Sequence, residues 1–337
     1  MSKLPVLVTG GAGYIGSHAV LALKDAGWSV AVIDDLSNGT REMVPEDVAF
    51  FEGSIADRTL VERIFAEQKI GAIMHFAGSI VVPESVEKPL DYYANNTLGS
   101  HTLIGAAVAA GVKHILFSST AAVYGAPGRI PISEDDPKLP INPYGASKLM
   151  TERMLADCSA AYGFNYGALR YFNVAGADPQ GRAGQIGKGS THLIKVAVEA
   201  AVGKRPQVAV YGTDYPTPDG TCIRDYIHVS DLAAAHVAAL ERLIAAPDEN
   251  LVLNCGYGQG LSVLEVLDAV DRVNGSAVKR VVEGRRAGDP PELVAANARL
   301  LGTLDWRPRY ADIDRIVGDA LAWERKLAER TSAVSAG

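Results

Sequence analysis

Tyr144 and Lys148 stand four positions apart in Asn142-Pro143-Tyr144-Gly145-Ala146-Ser147-Lys148. On a helix, residues i and i+4 share one face, so the phenol and the ammonium point the same way. A positive charge about 5 Å from a phenol, at an effective dielectric of about 20, favours phenolate by about 3 kcal/mol, or about two pKa units. Tyr144 is therefore expected to serve as a base near neutral pH and, once protonated, as an acid. Upstream, Ser118-Ser119-Thr120-Ala121-Ala122-Val123-Tyr124-Gly125 closes an apolar run and brings hydroxyls to its end. Alone, a Tyr-x-x-x-Lys match is as readily an ordinary helix pair, so its weight comes from what accompanies it.

What accompanies it is Thr9-Gly10-Gly11-Ala12-Gly13-Tyr14-Ile15-Gly16, between the first strand pattern and the first helix pattern. Gly10, Gly13 and Gly16 allow a tight turn, close approach of the backbone to a pyrophosphate, and close helix-to-strand packing. The helix N-terminus adds unpaired N–H groups and the positive end of a dipole. In a chain of 34 glycines a lone triplet is only a turn, but this position marks a dinucleotide site. Asp34 follows Gly16 by 18 positions, at the end of the second strand pattern, where a carboxylate accepts from a ribose diol and repels the extra phosphate of NADP. The expected cofactor is NAD. The plainer reading of Asp34 is an exposed strand-end carboxylate.

These groups need a scaffold. Short β-branched runs, Val6 to Thr9, Ser29 to Ile33, Ala72 to Phe76, His114 to Ser118 and Tyr166 to Arg170, alternate with helix-like stretches such as Ser17 to Ala26 and Asn96 to Ala110. Strands that are continuously apolar, separated by helices, predict a doubly wound parallel α/β sheet covered on both faces. Past Asn173 the chain turns glycine-rich, from Gly176 to Gly189, and a second turn-rich stretch runs from Tyr211 to Thr221. The organisation read from this is a first lobe over 1–173 and a second, smaller lobe over 174–337, with part of 226–250 returning to the first.

Composition narrows the function classes. At 48% apolar and 21% charged, with a net charge of -7, the chain does not look built for nucleic acid or an anionic membrane surface. No apolar run approaches the ~18 residues of a membrane span, and no secretory signal pattern opens the chain. Cys158, Cys222 and Cys255 lie far apart, which argues against a disulfide framework or a thiolate zinc site. None of the seven histidines has metal-ligand spacing to a carboxylate or thiol, so no metal is expected. The expected setting is the cytoplasm.

Together these residues resemble the extended short-chain dehydrogenase/reductase family, with its Rossmann-type fold, and within it the UDP-sugar 4-epimerase branch. The likeness runs over nearly the whole chain: TGGAGYIGSH at 9–18, HFAG at 75–78, ESVEKPLDYYANN at 84–96, the Ser-Ser-Thr and VYG segment, NPYGASK at 142–148, LRYFNVAGADP at 169–179, YGTDYPTPDGTCIRDYIHVSDLA at 211–233 and RRAGDPP at 285–291. The third and seventh of these segments are more specific than the cofactor motifs.

The resemblance implies reversible epimerisation of UDP-glucose and UDP-galactose at C4 through a transient 4-keto sugar. Tyr144 is then base and acid, Thr120 hydrogen-bonds the sugar oxygen and relays the proton, and Lys148 lowers the phenol pKa and holds the nicotinamide ribose. Thr120 stands where the family commonly has Ser. Related dehydratases and decarboxylases carry acidic side chains just after this position, whereas here stand Ala121 and Ala122. The resemblance places NAD contacts on Gly10, Gly13, Tyr14, Ile15 and Gly16, on Asp34, Asp35, Leu36, Ser37 and Asn38, and on Ser54 and Ile55. Further contacts fall on Phe76, Ala77, Gly78, Asn95, Thr120, Tyr144, Lys148 and Phe172. Ser54 replaces an Asp and Ile80 a Lys of the usual pattern, which loosens charged contacts to NAD.

For the UDP-sugar the matching positions are Asn173, His192, Leu193, Ala209, Val210, Tyr211, Arg224, Arg286, Asp289 and Leu293. Arg suits a diphosphate because its planar fork donates paired hydrogen bonds, and Asp289 suits a ribose diol. Plainer readings are an Arg224–Asp225 surface ion pair, a solvated turn at Arg285 and Arg286, and a packing or capping role for His192. Leu293, where the family has either Tyr or a smaller residue, leaves 2-acetamido sugars open. The alternatives are thus the same chemistry on UDP-N-acetylglucosamine or a UDP-pentose, and a non-catalytic NAD-binding regulator. The family also implies a homodimer joined near 92–110 and 144–162.

Overall fold

In the computed structural model the described residues are 3–186, 190–286 and 288–335; positions 187–189 of the glycine-rich stretch and Ala287 of RRAGDPP lie outside them. The strands, in chain order, are β1 (Val6–Thr9), β2 (Val30–Asp34), β3 (Ala49–Glu52), β4 (Ala72–His75), β5 (His114–Thr120), β6 (Asn165–Tyr171), β7 (Asn173–Ala175), β8 (Val208–Tyr211), β9 (Ile223–His228), β10 (Leu251–Cys255), β11 (Gly260–Ser262), β12 (Arg280–Glu283) and β13 (Glu292–Leu293). The helices are α1 (Tyr14–Asp25), α2 (Arg58–Gln68), α3 (Val82–Glu87), α4 (Pro89–Tyr92), α5 (Gly99–Ala110), α6 (Pro143–Tyr162), α7 (Leu193–Ala201), α8 (Val229–Ala245), α9 (Val263–Asn274), α10 (Ala298–Thr303) and α11 (Ile313–Ser335).

Among the described residues a seven-stranded sheet has the order β3-β2-β1-β4-β5-β6-β10, and every pairing in it is parallel. This is the Rossmann-type doubly wound order, whose reversal between β1 and β4 opens a crevice at the carboxyl ends of the strands. Side chains alternate across β1: Val6 and Val8 enter the layer with α1 and α8, while Leu7 enters the layer with α2 and α5. Both layers are apolar, so all four residues of β1 are buried and the strand shows no polar alternation.

The chain does not stay in one lobe after β6. Helix α8 packs on α1, and β10 pairs with β6 in the large sheet. A second core of α7, α9 and α11 supports β8, which pairs in parallel with β12. Strand β9 is flanked by β7, β11 and β13, so the large sheet and the second core are joined by several crossings.

Local chemistry sets where the key helix begins. The Asn142 side chain accepts from Gly145 N–H at 2.8 Å, and Pro143 occupies the first turn, where its missing N–H costs nothing. Tyr144 is thereby fixed in the first turn of α6. Gly163, at φ 68°, ends the helix in a left-handed cap.

Candidate active site

The crevice is built from strand ends. Thr9 is in register with Ile33 of β2 and His75 of β4, and Thr120 with Tyr171 of β6. The glycine turn, Asp34, Phe76 to Gly78, Thr120 and Phe172 therefore lie along one edge of the sheet.

The turn admits no side chains where it matters. Gly10 has φ 68°, and a Cβ there would stand 2.7 Å from the Ala77 nitrogen. A Cβ on Gly16 would stand 2.1 Å from the Gly10 oxygen. Gly13 leads into α1 with no side-chain cap, which leaves the first N–H groups of Tyr14, Ile15 and Gly16 for an anion. Asp34 is buried rather than exposed, because its carboxylate accepts from Ala12 N–H and Leu36 N–H, both at 2.9 Å. Burial raises its pKa, and these hydrogen bonds oppose the rise. Each oxygen keeps a second lone pair for a ribose hydroxyl. Leu36 holds φ 58°, a strained conformation for a branched side chain, inside the segment Asp34 to Asn38.

The donor set thus fits a dinucleotide: a side-chain-free turn, an open helix N-terminus and a buried carboxylate. Nearby, Ile55 is buried, and the Ser54 hydroxyl accepts from Ala56 N–H at 3.1 Å within its own loop. Ile80 is exposed.

Tyr144 and Lys148 are both buried and face Thr120 and Gly78 respectively. The Lys148 ammonium donates to the Ser118 carbonyl at 3.1 Å and lies over the Phe117 ring. Burial pushes its pKa down to about 8, so it keeps its charge at neutral pH. The Thr120 hydroxyl accepts from Ala122 N–H at 3.1 Å, which leaves its own proton to donate toward the phenol. One sequence expectation is corrected here. In the protein alone the Tyr144 pKa is raised, not lowered, because burial outweighs the help from Thr120.

Asn96 was not singled out by sequence. It sits buried in the π-helical turn Tyr93–Leu98, accepts from Ser79 N–H at 2.7 Å, and donates to Ser147 Oγ at 3.0 Å. A Cβ on Gly78 would lie 2.9 Å from Asn96 Oδ1 and 3.6 Å from Lys148 Nζ, so these three groups crowd one spot. Its neighbour Asn95 is exposed and reaches Ser79 Oγ.

Across the crevice, Asn173, His192 and Leu193 line one cavity with Tyr226 and Gln185. His192 stands at the start of α7 but its side chain makes no cap bond; it is solvent-exposed, and its Nδ1 meets the Gln185 amide at 3.0 Å. Arg224 does not pair with Asp225. Asp225 instead accepts from Tyr257, Gly258 and Ala295 N–H groups, while Arg224 faces Asp289 at 3.6 Å. Arg286 lies over the Tyr211 ring at 4.2 Å, and Arg285 is taken by Asp214 at 2.7 Å. Val210 is buried in the second core, and Ala209 beside it is half-buried. Leu293 packs against a small cluster with Phe172, Tyr124 and Ile132. Phe172, expected on the cofactor side, and Leu293, expected on the sugar side, thus pack against the same cluster. Among the described residues no group of three or more His, Cys, Asp or Glu side chains gathers for a metal, and no helix is long and apolar enough to cross a membrane.

A family model described as NAD dependent epimerase/dehydratase family matches residues 6–256. The chain belongs to that family. Among its relatives, the UDP-glucose 4-epimerase of Azospirillum brasilense is 58% identical over 96% of this chain and 93% of its own length. A crystal structure of UDP-glucose 4-epimerase from Brucella ovis in complex with NAD superposes with a TM-score of 0.92 at 45% identity, covering 95% of this chain and 98% of that one. The UDP-Glc/GlcNAc 4-epimerase from Campylobacter jejuni gives a TM-score of 0.84 at 44% identity, covering 96% of this chain and all (100%) of that one.

Proposed function

We propose that this protein is an isomerase that interconverts UDP-glucose and UDP-galactose at C4 through a transient 4-keto sugar. The observation that carries the reading is Thr120, Tyr144 and Lys148 converging at the carboxyl ends of the sheet, beside the glycine turn, with Ala121 and Ala122 where an eliminating enzyme needs a carboxylate. A non-catalytic NAD-binding regulator has no use for those three groups together.

On this reading residues 1–173, with part of 226–250, form the cofactor lobe, and 174–337 mainly the UDP-sugar lobe. The turn from Gly10 to Gly16 takes the pyrophosphate, Asp34 a ribose diol, and Lys148 the nicotinamide ribose. NAD held there would supply a reversible acceptor for the C4 hydride and a positive charge beside the phenol. Tyr144 takes the O4 proton as the ketone forms and gives it back as the alcohol is restored. With substrate in place, Thr120 turns its one free proton from the phenol to that oxygen and so orients it. Arg224 and Arg286 clamp the diphosphate, Asp289 holds a ribose diol, and the cavity of Asn173, His192 and Leu193 with Ala209 to Tyr211 takes the remainder of the nucleotide.

Proton NMR of UDP-galactose with the purified protein, no NAD added, is expected to show UDP-glucose growing in. That result requires both the redox-neutral reaction and a cofactor retained despite Ser54 and Ile80. No conversion, with NAD added as well, would turn the reading away from these hexoses. Leu293, packed on the same small cluster as Phe172 and lacking the bulk of a Tyr, leaves the site open to the 2-acetamido sugars as a second activity.

A homodimer accompanies this function. Leu90, Leu98 and Met150 stand 79%, 62% and 46% exposed on α4, the following π turn and α6, on or beside the segments where the family likeness places the dimer seam. Light scattering should give twice the chain mass, and Leu98→Glu should halve it; a parental monomer would end the dimer proposal. The three free cysteines accord with a cytoplasmic setting.

A further inference from the structure

The helix face that presents Tyr144 and Lys148 continues one turn further to Glu152. This carboxylate is buried, 6% exposed, and pairs bidentately with the equally buried Arg170 of β6, Nε to Oε1 at 2.9 Å and Nη2 to Oε2 at 2.6 Å. It also accepts from the hydroxyl of Ser119, the residue before Thr120 on β5. Arg170 reaches on to the Tyr124 hydroxyl at 2.8 Å and the Glu134 carbonyl at 3.3 Å.

The chain of bonds does not stop there. Tyr124 donates to Asn254 Oδ1 at 2.7 Å, and Asn254 donates to the Ile132 carbonyl at 2.8 Å. Ile132 exchanges backbone bonds with Val294 and Ala296, on either side of Ala295 and directly after Leu293. One ion pair therefore links α6, β5, β6 and β10 with the segment that bears Leu293. A buried ion pair adds little stability over well-packed apolar residues, so geometry is the better account of it.

We propose that the Glu152–Arg170 pair is a positioning unit for the reaction, holding the Thr120 end of β5 against the Tyr144 face of α6 and tying both to the Leu293 segment. The inference rests on the epimerase reading of the site. Ser119 is its mechanical arm: when its bond to Glu152 is lost, Thr120 drifts from the phenol. Misplacement of about 1 Å costs up to about 10²-fold in rate. Arg224, Arg286 and Asp289, the proposed grips on the nucleotide, lie outside this chain of bonds, so substrate binding changes little.

The test uses NAD-loaded Glu152→Gln and Ser119→Ala, the latter uncharged and mild enough to fold where the former does not. Steady-state epimerisation of UDP-galactose is expected to show kcat down about 30-fold in Glu152→Gln and about fivefold in Ser119→Ala, with KM within about twofold of the parent. An ultraviolet difference titration of the phenol, each protein read against its own Tyr144→Phe version, should move to higher pH as the Thr120 contribution is lost. The charged and titratable groups around this unit include Lys138 with Asp135 and Asp136, Tyr166, and Glu134 with Arg299 beside the ion pair, and Lys148, Tyr92 and Tyr171 beside Tyr144. All of them are unchanged in the variants. A lowered melting temperature with parental kcat and an unmoved phenol titration would make the pair purely structural and overturn the proposal. If the parent itself leaves UDP-galactose unchanged, the epimerase reading fails, while the phenol titration still decides the positioning.

Discussion

Replacing Tyr144 by Phe should lower kcat for UDP-galactose on the order of 10³-fold, the scale of losing a positioned acid/base, and leave NAD on the protein. The ring stays, so the buried space in the first turn of α6 remains filled. The lost hydroxyl removes the acceptor of the Thr120 proton, although Thr120 still accepts from Ala122 N–H. Lys148 keeps its bond to the Ser118 carbonyl, and the glycine turn and Asp34 are untouched. Stability should therefore change by only about 1 kcal/mol. Among the described residues the neighbouring phenol does not stand ready to replace it. Tyr171, electrostatically coupled to Tyr144, is bonded to Ser118 and carries a pKa raised by burial. Single-turnover and steady-state rates, with bound NAD measured by release on denaturation, check the prediction. A variant that keeps a tenth of the parental kcat would take the proton transfer away from Tyr144.

That prediction could be written from the sequence, and the reason is local. Tyr144, Lys148 and the capping Asn142-Pro143 pair lie within seven residues, so helix periodicity alone sets their common face. The parallel sheet was legible for a similar reason, since β1, β4 and β5 are buried on both sides and read as unbroken apolar runs. What escaped were features made by distant segments. Asn96 gains its position from an irregular π turn and from Ser147 of another helix. The raised Tyr144 pKa depends on how much protein covers the phenol, which no spacing reveals. Arg224 beside Asp225 looked like a possible surface pair because neighbours in sequence suggest contact. On a strand, successive side chains point to opposite faces, and Arg224 and Asp225 accordingly find partners on different sides.

Gly16→Ala is expected to cost more than its size suggests. Inside an ordinary helix, Ala for Gly gains up to about 1 kcal/mol. Here the new methyl would stand 2.1 Å from the Gly10 oxygen, 2.9 Å from its carbonyl carbon and 3.0 Å from Gly11 Cα, all backbone atoms. The turn has nowhere to retreat, because Gly10 already fits against Ala77 and Gly11 against Val32, each with a Cβ position only 2.7 Å from its neighbour. Relief must come from lifting the start of α1 off β1, which strains packing by about 1–3 kcal/mol and displaces the N–H groups that face a pyrophosphate. The expected result is a melting temperature several degrees lower and NAD occupancy of the purified protein reduced at least about tenfold, since roughly 1.4 kcal/mol of misdirected binding is already a factor of ten. Gly13→Ala is the matched control. Its Cβ would meet only the Gly10 oxygen, at 3.3 Å, and its backbone at φ -78° and ψ 174° suits any residue, so the fold should tolerate it. Equal NAD content and melting temperature in the parent and Gly16→Ala would mean that the turn yields more readily than its contacts allow. The close helix-to-strand packing would then not be what holds the cofactor.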